Sequence, residues 1–381
     1  MKLLPSQLQA ASGITNKLNK YGMCLLAGEV RSGKTLSFLH VAKKYKRVLI
    51  ITTKKAMVDI TKILPSNCDI INYHSAHKVD GQYDLVILDE CHNYITGYPK
   101  RSQIWRNVYK HTSKNVHIIF STGTPTPEGY AGLFNMFALS YNSPWKHYTR
   151  FTLWHEDYGL PYQMKIAGFN VTKYERTKVK KIRKVIKKYT VTITQVEAGH
   201  KFFAKDKIHL INMTRKQEKI IRKLDRDLIY EKGKYCILGD TPAKLMQKKH
   251  QISGGFCKCE EDVLMTFKDN PKVKYILEHF DTSKTIILAN FVAEQKMLAE
   301  IFPHTGSVKK EAEGVDFSHF ENMVIFSFGY SAKDYEQVRA RQMNMFKRKT
   351  NINVNFLMTE IDQRIYRAVS KKKNFTRKWY G

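Results

Sequence analysis

What is scarce in this chain narrows it first. Long apolar runs are missing: no segment approaches 18 uninterrupted apolar residues, so no membrane-spanning helix and no membrane partner are expected. The opening Met1-Lys-Leu-Leu-Pro-Ser holds no apolar core or small-residue cleavage site, so no secretory leader is expected there. Cysteine is sparse, six in 381 residues, too few for a disulfide framework. A reducing compartment fits: the cytoplasm, or the host cytoplasm if the chain is viral. Acids are scarce too, 34 Asp and Glu against 65 Lys and Arg, which leaves a formal net charge of +31. That excess points to a polyanion, nucleic acid first, because neutralising phosphates releases counterions. A generally lysine-rich proteome is the plain alternative. What remains is a globular composition, 43% hydrophobic, long enough for two or three domains.

The stretch Gly28-Glu-Val-Arg-Ser-Gly-Lys34-Thr35 reads G-x-x-x-x-G-K-T, a phosphate-binding loop pattern. The apolar run Met23–Ala27 before it suits a buried strand, and Leu36, Phe38, Leu39 and Val41 after it suit an amphipathic helix. Gly28 and Gly33 let the backbone bend so that successive N–H groups face phosphate oxygens. The helix start adds partial positive charge. Lys34 would hold the β- and γ-phosphates, and the Thr35 hydroxyl would ligate Mg²⁺. An ordinary Gly-rich turn is the bland alternative. Upstream, Gln7 follows a Pro-Ser helix start and can offer a donor and an acceptor to an adenine edge.

Further on, apolar runs repeatedly end in polar residues. Arg47–Thr53 reads as a buried parallel strand, and Thr52, Thr53 and Lys54 at its exit could touch a nucleic-acid backbone. Asp69–His74 reads as another short strand. Tyr83-Asp-Leu-Val-Ile-Leu runs into Asp89 and Glu90, which suits Asp89 as a Mg²⁺ ligand and Glu90 as the base for a water attacking the γ-phosphate. His92 suits a role coupling these acids to their neighbours. Val116–Phe120 leads to Ser121-Thr-Gly-Thr-Pro125, a candidate switch loop.

Taken in order, Gln7, Gly28–Thr35, Thr52-Thr53-Lys54, Asp89-Glu90-Cys91-His92 and Ser121–Pro125 resemble motifs Q, I, Ia, II and III of a superfamily 2 helicase-type ATPase. Asn72-Tyr73 and Thr122-Gly-Thr-Pro-Thr126 resemble its Swi/Snf-like branch in particular, and small phage or viral DExH-type DNA helicases are similar. The resemblance implies an α/β fold of two RecA-like lobes, parallel sheets flanked by helices, with ATP in the inter-lobe cleft. It places one lobe at 1–205, including a basic, helical protrusion at about 141–205, and the second at 206–381 with a basic tail. From Lys173 to Lys188, nine of sixteen residues are Lys or Arg, so Lys180, Lys181, Arg183 and Lys184 are candidates to lie along phosphates, unless the run is a solvated face.

In the second half the resemblance is looser. Thr214 suits a helix cap, with a helix running on to Glu231. Cys257 and Cys259, with Cys236 and His250, could bind zinc, but Cys-x-Cys is not a usual zinc spacing. Thr285–Phe291 resembles motif IV, which puts Phe291 among nucleic-acid contacts. Glu313–Phe317 resembles motif V, with Gly314 and Asp316 at the nucleotide. Only about 23 residues separate Asn290 from Gly314, so this lobe looks trimmed. Tyr335–Asn344 resembles motif VI: Gln337 at the nucleotide and Arg341 as the arginine finger, with Asn344 where a second Arg is usual and Arg339 and Arg348 as competitors.

The expected activity is an ATP-dependent DNA helicase or translocase, a Mg²⁺- and nucleic-acid-dependent hydrolase. Its DNA could be single-stranded, duplex or forked. The alternatives are an RNA helicase and an ATP-switched nucleic-acid clamp. Replication or recombination proteins are candidate partners.

Overall fold

Runs of Val, Ile and Leu become parallel strands here because helices cover both faces of the sheet they enter. The computed structural model describes residues 3–112, 116–126, 129–166, 169–311, 317–340 and 352–377. The chain divides into two compact units, residues 1–200 and 201–371. Among the described residues, no helix is long and apolar enough to cross a membrane.

The first unit holds Met23–Gly28 (β1), Val48–Thr52 (β2), Cys68–Asn72 (β3), Leu85–Asp89 (β4) and His117–Thr122 (β5). A hairpin follows, Tyr162–Ile166 (β6) with Phe169–Lys173 (β7), and then Thr190–Ile193 (β8). The six-stranded sheet runs β3-β2-β4-β5-β1-β8, every pairing parallel. All its strands therefore end at one edge, where ligands collect in open α/β sheets. Alternate residues serve two cores. Leu25, Leu49 and Ile51 face one side with Phe120, Trp145 and Trp154, while Leu26, Val48 and Ile50 face Ile14, Leu18 and Phe38 on the other.

In the stretch 141–205, expected as a helical protrusion, helices alternate with strands. Helices Phe151–Tyr158 and Val179–Ile186 flank the β6–β7 hairpin, and β8 returns to extend the main sheet beside β1. The β-branched Thr190-Val-Thr-Ile run favours that strand.

The second unit starts with Ala204–Leu210 (β9) and the helix Arg215–Asp227. Thr214 caps this helix, accepting the Gln217 N–H at 3.3 Å while Gln217 Oε1 accepts the Thr214 N–H at 2.8 Å. The helix stops short of Glu231: Leu228 turns left-handed (φ 58°), and Ile229–Lys232 (β10) pairs back with Tyr235–Leu238 (β11). Phe256–Lys258 (β12) and Leu264–Thr266 (β13) form another hairpin. Thr285–Ala289 (β14), Thr305–Ser307 (β15), Asn322–Ile325 (β16) and Ile352–Met358 (β17) complete a parallel sheet ordered β15-β14-β16-β17-β9. After Asn290 come the helix Val292–Ala299, the three-residue β15 and the four-residue helix Val308–Glu311, so the stretch expected to be trimmed holds only a short strand and a single helical turn beyond the first helix.

Candidate nucleotide site and nucleic-acid surfaces

The phosphate loop leaves β1 at Gly28 and enters the helix Lys34–Ala42 directly. Two left-handed residues turn it, Arg31 (φ 62°) and Gly33 (φ 89°). A Cβ on Gly33 would lie 2.4 Å from Gln7 Nε2, so the glycine is what lets buried Gln7 pack on the loop. Gln7 Oε1 accepts the Leu4 N–H at 3.0 Å, which fixes the orientation of its amide. A Cβ on Gly28 would meet Lys34 Cγ at 2.4 Å. Buried Lys34 folds back so that its ammonium donates to Gly28 O at 2.7 Å and Glu29 O at 3.0 Å. Thr35 follows it, half-buried.

Two strands away, β4 delivers Asp89 to the same edge. Thr52 donates its hydroxyl to Asp89 Oδ2 at 3.1 Å, and Ser121 donates to Oδ1 at 3.0 Å. Burial raises the Asp89 pKa from 3.8 to about 6, helped by the charge of Glu90 and opposed by Lys34 and the two hydroxyls. Tyr73 donates to the Asp89 carbonyl at 2.8 Å. Glu90 takes a left-handed conformation, φ 47°, uncommon for a residue with a side chain. Its Oε2 lies 3.5 Å from His92 Nδ1, and that nitrogen is 2.7 Å from Thr122 Oγ1. Thr122 also accepts the Thr124 N–H at 3.0 Å. His92 thereby couples the acid loop to the exit of β5. The next residue, Gly123, brings that exit to the phosphate loop, since a Cβ there would lie 3.7 Å from Lys34 Nζ.

Ser32 Oγ, Thr124 Oγ1 and Glu90 Oε2 are buried oxygens that make no hydrogen bond among the described residues. Buried polar groups are normally satisfied. Hydroxyl donors on these segments, with the Lys34 ammonium and the Asp89 carboxylate, fit a phosphate carrying a hard cation.

The nucleic-acid residues expected at the β2 exit need correction. Thr52 is fully buried and its hydroxyl is committed to Asp89. Thr53 is also buried and caps the helix Lys54–Thr61 by accepting the Ala56 N–H at 3.2 Å. Of the three, only Lys54 is exposed. On the helix Val179–Ile186, Ile182 and Ile186 face the core while Lys180, Lys181, Arg183 and Lys184 are exposed. Lys181 sits 4.4 Å over the Tyr158 ring.

In the second unit, Gly314, Asp316 and Arg341 lie outside the described residues, as do Asn344 and Arg348. Gln337 is buried, and its Oε1 makes no hydrogen bond among the described residues. Arg339 pairs with Asp206 at 2.7 Å and donates to Ala204 O at 2.8 Å, which ties its helix to β9. Phe291 is half-buried, its ring edge-on to His250 (4.9 Å) and near Phe256 (5.5 Å), so it packs within its own unit. Among the described residues, no group of three His, Cys, Asp or Glu side chains is placed to hold a metal, so Cys236, His250, Cys257 and Cys259 form no zinc site.

Reading along the sequence picks out Tyr73 beside Asn72 but not the bond of its hydroxyl to the Asp89 carbonyl, and it misses Gln195 and His200. Gln195 and His200 act some 165 residues from their partners and leave no local signal.

Residues 13–257 match the family described as the SNF2-related domain. An uncharacterized ATP-dependent helicase of Bacillus subtilis, YqhH, is 26% identical over 167 residues, 36% of this chain and 29% of that protein. The match thus spans less than a third of that relative. The solved structure titled Sulfolobus solfataricus SWI2/SNF2 ATPase core in complex with dsDNA aligns over 99% of this chain and 92% of its own, at 14% identity and a TM-score of 0.43.

Proposed function

This chain belongs to the SNF2-related domain family, and within it we propose an ATP-driven translocase or remodeller that works on DNA. The observation that carries this reading is the convergence of Lys34, Asp89 and the Gly123 turn at one sheet edge. In this reading Gln7 recognises the adenine edge, and the loop amides with Lys34 hold the β- and γ-phosphates. Thr35 and Asp89 hold Mg²⁺, which when bound polarises the γ-phosphoryl group. Ser121 and Thr52 keep the Asp89 carboxylate aimed. Glu90 accepts the proton of the attacking water. From the second unit, Gly314, Asp316 and Gln337 contribute to the nucleotide, and Arg341 supplies positive charge to the transition state. Lys54 and the cations at 180–184 contact the DNA backbone, and ATP turnover changes that grip.

The test is phosphate release by wild type and Lys34→Ala. Removing this ammonium should lower turnover at least a hundredfold while far-UV circular dichroism is kept. A Lys34→Ala protein that turns over ATP at the wild-type rate would refute the phosphate-loop assignment.

A further inference from the structure

The segment through which the chain leaves its first unit folds back onto the phosphate loop. Ile193 O accepts the Glu29 N–H at 2.9 Å. The Gln195 N–H donates to the Glu29 carboxylate at 2.6 Å, and Gln195 Nε2 donates to Val30 O at 2.9 Å. His200 Nε2 lies 3.0 Å from Arg31 O, and a carbonyl there requires that this nitrogen carry the proton. Three successive loop residues are thus gripped by residues 193–200.

The grip has a geometric consequence. In a trans peptide the C=O and the following N–H lie in one plane and point opposite ways. Holding Val30 O on Gln195 turns the Arg31 N–H to the other side. Holding Arg31 O on His200 turns the Ser32 N–H back to Glu29 O, which accepts it at 3.2 Å and closes the loop's own turn. Arg31 is also left-handed, at φ 62°, a conformation that persists in a non-glycine residue only when its surroundings impose it. The segment does not need these side chains for its own shape. Its turn is closed by Glu197, which accepts the Thr194 N–H at 2.7 Å, and by Thr194, which accepts the Glu197 N–H at 3.1 Å.

We infer that Gln195 and His200 are positioning residues that preset the phosphate loop, aiming the Arg31 amide at the nucleotide phosphates and holding the Glu29–Ser32 turn in place. Bound nucleotide in return fixes segment 193–200, through which the chain passes into its second unit. The inference rests on the proposed function only in that a nucleotide's phosphates occupy the loop. Preset amides bind ground state and transition state alike, so their loss weakens ATP binding and leaves turnover at saturation nearly intact.

The experiment measures the ATP Kd by titration, kcat and KM from phosphate release, and tryptic cleavage after Lys201 and Lys205 with and without a non-hydrolysable ATP analogue. Gln195→Ala with His200→Ala should raise Kd and KM about tenfold or more, with kcat within about twofold. The analogue should protect the 201–205 sites in wild type and fail to protect them, even at saturation, in the double variant. Gln195→Glu, nearly isosteric, places an acceptor against Val30 O beside the Glu29 carboxylate, and should weaken ATP more than Gln195→Ala. If the double variant unfolds, this comparison of single variants decides. Wild-type Kd in the double variant, or Gln195→Glu binding as well as wild type, overturns the clamp. A wild-type chain that binds no ATP overturns the phosphate-loop reading itself.

Discussion

Asp89 is buried between two hydroxyl donors, with Glu90 next in the chain, and its pKa is raised from 3.8 to about 6. A carboxyl whose folded pKa lies above its unfolded value stabilises the fold below the unfolded value and loses that contribution as pH rises through the folded one. Above about pH 6 the cation-free protein therefore carries an ionised, costly Asp89, on the order of 2–3 kcal/mol. Asp89→Asn should raise the urea midpoint at pH 8, with the gain fading towards pH 4, while Mg²⁺-dependent hydrolysis is lost. A variant less stable than wild type at pH 8 would mean that the hydroxyl bonds outweigh burial. Glu90 poses a separate question, because an amide there cannot take a proton. Glu90→Gln should retain ATP and Mg²⁺ in filter binding while turnover falls roughly 10²–10⁴-fold. Weakened nucleotide binding would assign Glu90 a structural role instead. At this scale the sequence is informative where chemistry is local, as in Lys34 and the Asp89-Glu90 pair. It misreads Thr52, because a hydroxyl at a strand exit looks the same whether it meets a ligand or a neighbouring carboxylate.

Elements of the second unit are tied by a buried ion pair. Lys272, from the helix Pro271–His279, donates to Asp362 of the helix Glu360–Arg377 at 2.8 Å and to Phe326 O at 2.7 Å, beyond the end of β16. His250 approaches the other Asp362 oxygen at 3.2 Å. Lys272 beside the buried Asp362 holds that carboxyl well below the usual carboxylate range despite its burial. Lys272→Met strips the partner from a buried charge and should cost about 3–5 kcal/mol in urea unfolding; a loss under about 1 kcal/mol would show that His250 and the two bonds that Thr359 donates to Asp362, from its N–H at 2.9 Å and its hydroxyl at 2.8 Å, suffice. The strands β1, β2, β4 and β14 are legible because their residues are all buried and their runs are apolar but for one terminal Thr or Asp in β2, β4 and β14. The partly exposed strands β8 and β10, and the hairpin strand β6, are not. Their runs mix polar with apolar residues, and tertiary pairing, not periodicity, makes them strands.

Across the whole molecule, if the proposed action on DNA holds, the charge of +31 should make that binding weaken steeply with salt, since each neutralised phosphate releases counterions. Replacing the exposed Lys180, Lys181, Arg183 and Lys184 by Gln should flatten the plot of log affinity against log salt, by up to about 0.9 per lost phosphate contact on duplex. An unchanged slope would make that helix face simply solvated. The division of the chain into two α/β units is visible in the alternation of apolar runs and helical patterns, whereas the return of 193–200 to the phosphate loop depends on folding alone. The central claim is that nucleic acid, DNA above RNA, drives ATP turnover in this chain. Steady-state phosphate release with ATP and Mg²⁺, alone and with single-stranded DNA, duplex DNA, forked DNA or RNA, tests it most directly. At least one DNA form should stimulate turnover tenfold or more, exceed RNA, and lose its effect in Lys34→Ala. Turnover indifferent to every nucleic acid, or stimulated as strongly by RNA as by DNA, would contradict it.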